Sequence, residues 1–152
     1  MNCIEELMSY SYSLIYNMGE YMNEIQDEEL KDILQQHLPY MLQAYNEQVN
    51  FQEGENVQQM ICEQLISPRI QNHIEIERIS TGDIGIAISY ILHLKKLALC
   101  FAQVAVEVAN PEFRAFLEKC FVKMNRYAYC VWQYVVKQEY SIGQVFMNEK
   151  FA

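Results

Sequence analysis

Apolar residues recur at steps of three and four through the start of the chain: Ile4, Leu7, Met8, Leu14, Ile15, Met18, Met22 and Ile25. That period lays them along one face of a helix. Asp27 then reads as an N-cap, with Glu28 and Glu29 in a first turn where acids favour the helix dipole. The second stripe runs Leu30, Ile33, Leu34, Leu38, Met41, Ala44 and Tyr45. Pro39 inside it lacks an N–H and clashes with the Gln35 carbonyl, so a kink is expected there. Glu53-Gly54-Glu55-Asn56 ends the stripe.

A long connection follows. Val57, Met60, Ile61 and Leu65 predict a short amphipathic helix that stops before Ser67-Pro68. Ile74-Glu75-Ile76-Glu77 alternates like a strand without a partner strand, and predicts an extended crossover. Ser80-Thr81-Gly82-Asp83 starts a third helix, apolar from Ile84 to Ala109 apart from a thin polar line that includes Gly85, Ser89, His93 and Lys96. Such a helix is expected to be mostly buried. Asn110-Pro111 is an N-cap followed by proline at the first helical position, and the last stripe runs from Phe113 to Val135.

The two halves repeat. Adding 83 carries Asp27-Glu28-Glu29-Leu30-Lys31 onto Asn110-Pro111-Glu112-Phe113-Arg114. The same shift takes Leu14 to Leu97, Met18 to Phe101, Leu34 to Leu117, Met41 to Met124 and Glu24 to Glu107. Each hairpin alone leaves an apolar face bare, so two must pack together. The prediction is an all-α antiparallel four-helix bundle in one domain, 1–152. It has a hairpin over 1–53, a crossover over 54–82, a hairpin over 83–140 and a short C-terminal tail.

Charge adds an asymmetry. Residues 1–66 hold twelve acidic side chains and one basic one, a net of −11, while the rest of the chain nets +2. The total of −9 argues against nucleic acid, whose binders present a basic face. It also raises attraction between the halves or between copies, as in a homo-oligomer. Five cysteines, an odd number, without a leader-like start predict a reducing compartment. The apolar stretch Leu97–Ala109 is broken by Gln103 and Glu107, so no membrane span is expected.

Catalytic constellations are scarce. No glutamate stands three residues before His37, His73 or His93, so the Glu-x-x-His pattern of di-iron bundles is missing. His93 is expected at the surface, and His37, at the place matching Cys120, as a satisfied core or edge histidine. Cys100, Cys120 and Cys130 lie on apolar helices and are expected in the core. Eleven tyrosines are expected along the rim of the bundle, hydroxyls toward water. No catalytic, cofactor-binding or metal residue is assigned. Tyr10, Tyr12, Tyr129, Tyr140 and Cys3 are the candidates for surface contacts or cross-links.

The second half resembles the spore coat protein F family of spore-forming bacteria. The resemblance rests on Asp83, Ala87, Leu94-Lys95, Ala98, Phe101, Glu107, Asn110-Pro111-Glu112-Phe113-Arg114, Phe116 and Leu117, and on the aromatic run Tyr127–Tyr134 and the ending Tyr140–Val145. The family usually has glycine before its closing aromatic pair, where this chain has Glu139, so the end of the last helix is expected to differ. The resemblance implies a ferritin-like bundle without metal, a structural role among other spore coat proteins, and synthesis in the mother-cell cytoplasm. Two rival readings stand beside it. One is a ferritin-like oxidoreductase with an atypical metal site at Glu20, Glu24, Glu107 and His93. The other is an adaptor that takes a partner helix on an exposed apolar face.

Overall fold

In a computed structural model, residues 3–51 and 72–151 are described, with side chains over 4–51 and 82–139. The helices are α1 (Cys3–Glu24), α2 (Glu28–Phe51), α3 (Asn72–Ala105) and α4 (Pro111–Phe151). No strand occurs among the described residues.

Both predicted caps form. The Asp27 carboxylate accepts the Glu29 N–H at 3.1 Å, and the Asn110 side-chain oxygen accepts those of Glu112 and Phe113 at 2.9 and 3.2 Å. Each thereby satisfies amide donors that a helix start leaves without intrahelical acceptors. Pro39 does not divide α2. It sits on the exposed side, as does Gln35, whose freed carbonyl can turn to water.

Contacts at the two ends fix the topology. The Asp83 carboxylate accepts the N–H groups of Gln26 and Asp27, and the Tyr134 hydroxyl donates to Asp27. At the opposite end Phe51 stacks on Phe113, centroids 4.7 Å apart, and leans on Phe116. So α1 runs up and α2 down, the connection returns to the top, and α3 runs down and α4 up. Around the bundle α1 touches α2 and α3, and α4 touches α3 and α2, with α3 on α4 the most extensive packing. This is a four-helix bundle with one long crossover.

Repeat partners occupy equivalent depths. Leu14 and Leu97, Met18 and Phe101, Leu34 and Leu117, and Met41 and Met124 are all buried in one continuous core. The 3.6-residue period that selects these positions also sets the core.

Three expectations are corrected. Residues 72–81 are helical, not extended: an unpaired strand would leave its amides and carbonyls without partners, whereas a helix satisfies them internally. Gly82, at φ 57° and ψ −151°, breaks α3 between that piece and the bundle part. Few residues other than glycine adopt this conformation. The last helix continues to Phe151, past the expected tail at 140. The predicted short helix around Val57–Leu65 lies outside the described residues. The apolar run of α3 is also longer than Leu97–Ala109: Gly82–Ala105 is long and apolar enough to cross a bilayer, but half of it is buried inside the bundle, as in a core helix.

Candidate functional site

The interior is not wholly aliphatic. Near the middle of α2, His37 is buried, 5% exposed. Its ring stacks on Tyr127 of α4 with centroids 3.6 Å apart, and its Nδ1 is hydrogen-bonded to the Tyr90 hydroxyl of α3 at 2.8 Å. One turn along α2, Tyr40 meets Tyr127 edge-on, and its hydroxyl donates to the Cys120 Sγ at 3.9 Å, a weak bond. The Lys123 ammonium lies over the rings of both Tyr40 and Tyr127. Three helices thus contribute to one polar and aromatic knot.

Its electrostatics favour uncharged forms. Burial, with a smaller contribution from Lys123, lowers the His37 imidazole to about 4. Burial pushes the Cys120 thiol up to about 12 against the opposing bond from Tyr40. Burial likewise raises Tyr40, Tyr90 and Tyr127. Near neutral pH the knot therefore holds a neutral imidazole, a thiol and phenols. A thiol kept protonated is a poor nucleophile.

The residues of the proposed atypical metal site do not converge. Glu20 and Glu24 are half-buried on α1, and Glu107 is exposed in the turn after α3. Because α1 runs up and α3 down, Glu24 and its repeat partner Glu107 lie at opposite ends, about 30 Å apart at 1.5 Å per residue. His93 is half-buried, not at the surface, and meets Tyr21 edge-on. Burial and then Lys96 lower its imidazole. Among the described residues no group of three or more His, Cys, Asp or Glu could hold a metal ion.

The contact candidates separate. Tyr129 is 58% exposed and stacks on Trp132, centroids 5.6 Å apart. Tyr10 is half-buried beneath the Lys96 ammonium, 4.1 Å from its ring centre. Tyr12 is buried, not at the surface: it packs with Tyr45 between α1 and α2, among Met8, Ile15 and Val49. The side chains of Cys3 and Tyr140 lie outside the described residues. The rim expectation also fails for Tyr21, Tyr45, Tyr90 and Tyr134, all of them buried. Of the three helix cysteines expected inside, Cys100 and Cys120 are buried and Cys130 is half-buried.

Two surface features escape sequence reasoning. A groove of about 450 Å³ opens between α2 and α4, with Phe51 and Phe116 in its wall and Glu47, Glu112 and Lys119 beside them. The outer side of the second hairpin carries exposed apolar residues on both helices, Ile88, Leu92 and Leu99 on α3, Val106 just past its end, and Val122, Tyr129, Trp132 and Val136 on α4. The sequence shows that these residues are apolar but not which side of α3 docks. The polar line on α3 suggested a single exposed strip, whereas a second, apolar strip is also open to solvent.

No curated protein and no solved structure matches the chain. A family comparison matches residues 82–142, from the break in α3 through most of α4. The second hairpin of this chain thus matches the Coat F domain.

Proposed function

We propose that the chain is a structural, non-enzymatic protein of the bacterial spore coat. It is made in the mother-cell cytoplasm and acts through contacts with other coat proteins. The observation that carries this reading is the Coat F domain over residues 82–142. The interior chemistry supports it. Catalytic acids, bases and nucleophiles need pKa values near the working pH, and burial moves His37 and Cys120 away from it on opposite sides. Tyr129, open beside Trp132, is the leading contact or cross-link residue. Tyr10, Tyr140 and Cys3 are the others.

A fluorescent fusion tests the location. We expect signal only after sporulation begins, gathering around the developing spore and retained on purified spores. Uniform vegetative signal without enrichment on spores overturns the proposal. For the contact role, Tyr129→Phe is expected to lower the fraction of the chain that resists extraction from spores by hot detergent and reductant. An unchanged fraction removes Tyr129 from that role.

A further inference from the structure

The outside of the second hairpin differs from that of the first. The exposed apolar residues of α3 are Ile88, Leu92 and Leu99, with Val106 in the turn just after it, Leu99 being 69% exposed. Their counterparts 83 positions earlier on α1 are Glu5, Ser9, Tyr16 and Asn23. On α4, Val122, Tyr129, Trp132 and Val136 are exposed too. At 100° per residue they fall toward the α3 side of that helix, while Lys119, Lys123 and Arg126 fall toward α2. One apolar face therefore spans both helices of the hairpin.

We propose that this face pairs with the same face of a second copy, across a two-fold axis that passes by Leu99. Three observations favour a copy of the same chain. The first is area. At roughly 200 Å² for a large side chain, the eight residues at their fractional exposures leave on the order of 800 Å² open. Each partner of a standard interface contributes about as much, and the largest apolar patch on a monomer is usually smaller.

The second is symmetry. Leu92, Leu99 and Val106 are seven residues apart, a spacing that keeps a seam facing its partner. They are also symmetric about Leu99. An antiparallel pairing centred there sets Leu99 against its equivalent and Leu92 against Val106. It also sets Lys95 against Gln103, so no lysine meets a lysine. Lys96 is engaged within its own molecule, over Tyr10.

The third is charge. Residues 1–51 carry nine acidic side chains and one basic one, a net of −8, which opposes pairing through the first hairpin, while residues 67–152 net only +2. Pairing through the second hairpin holds the two acidic first hairpins on opposite sides of the dimer.

The pairing does not depend on the coat assignment, and the purified full chain tests it. Sedimentation equilibrium up to about 100 µM is expected to give twice the 18.0 kDa chain mass. Leu99→Glu is expected to return the mass to that of one chain with an unchanged helical circular dichroism signal. Leu99→Cys is expected to form an interchain disulfide on mild oxidation. Leu42→Cys, at an exposed site on α2, is not. A wild-type chain that stays monomeric at the highest concentration overturns the proposal, as does a dimer that survives Leu99→Glu. So does a monomer that floats with neutral phosphatidylcholine vesicles, which would assign the face to lipid.

Discussion

Turned inward, the two hairpins are alike: Leu14, Met18, Leu34 and Met41 and their counterparts Leu97, Phe101, Leu117 and Met124 fill one core. Turned outward, they differ. Eight of the nine exposed large apolar residues among those described lie on the second hairpin, the exception being Leu42. The first carries the acidic charge. The second also packs its own helices together more extensively. The inner face answers to the bundle, which needs two matching apolar surfaces. The outer face is free of that demand, and the two copies of the hairpin have used it differently.

The largest test truncates matched core positions. Leu34→Ala and Leu117→Ala remove fully buried side chains at equivalent places. Each should cost about 2–5 kcal/mol in urea unfolding. Similar losses with one cooperative transition would show that the hairpins stand or fall together. Two separate transitions would break the comparison by making the second hairpin a stable unit of its own.

Acid should expose a further difference. His37 and Cys120 occupy equivalent positions, yet the imidazole sits at about 4 instead of its ordinary 6.5. Between those values the unfolded chain binds a proton that the folded chain refuses. The contribution is therefore complete above pH 6.5 and lost as the pH falls toward 4, by at most ~3 kcal/mol. Urea titrations from pH 7 to 4 should show this fall in the wild type and a smaller one in His37→Phe. Cys120, raised to about 12, adds nothing in that range.

The caps give a smaller contrast. Asn110→Ala removes only a cap and should cost ~1 kcal/mol. Asp27→Ala also removes the acceptor of the half-buried Tyr134 hydroxyl. It should cost ~1 kcal/mol more. Equal losses in thermal unfolding would show that the Tyr134 bond contributes nothing. The backbone at Gly82 falls in the same range: Gly82→Ala meets no steric obstacle but a strained φ, for ~1–3 kcal/mol. The least effect is expected at the exposed Lys137–Glu29 pair, where Lys137→Ala should change stability by less than ~1 kcal/mol.

Much of this fold is legible in the chain because the repeat doubles each signal. Asp27 and Asn110 are both capping residues before an acidic first turn, and both form the predicted bonds. The buried stripes follow from spacing alone. What spacing does not contain is how one helix is rotated against a distant one. The His37–Tyr127 stack joins residues 90 apart, and His37 had no neighbour in sequence that announced it. Tyr12 reads as a rim residue because a phenol can turn its hydroxyl to water, yet it packs into the seam with Tyr45. The exposed strip on α3 was hidden for the opposite reason: on a helix apolar nearly all round, periodicity cannot tell a docked side from a bare one.

The carboxylate of Asp83 has a consequence for cutting the gene. It stands one residue into the Coat F segment, and both amides it accepts belong to the turn between α1 and α2. An excised piece spanning 82–142 would lose those donors, the Phe51 ring that covers Phe113, and a whole inner wall. The half-molecule would seek a twin to complete its interior, so its assembly state would report on the excision, not on the parent protein.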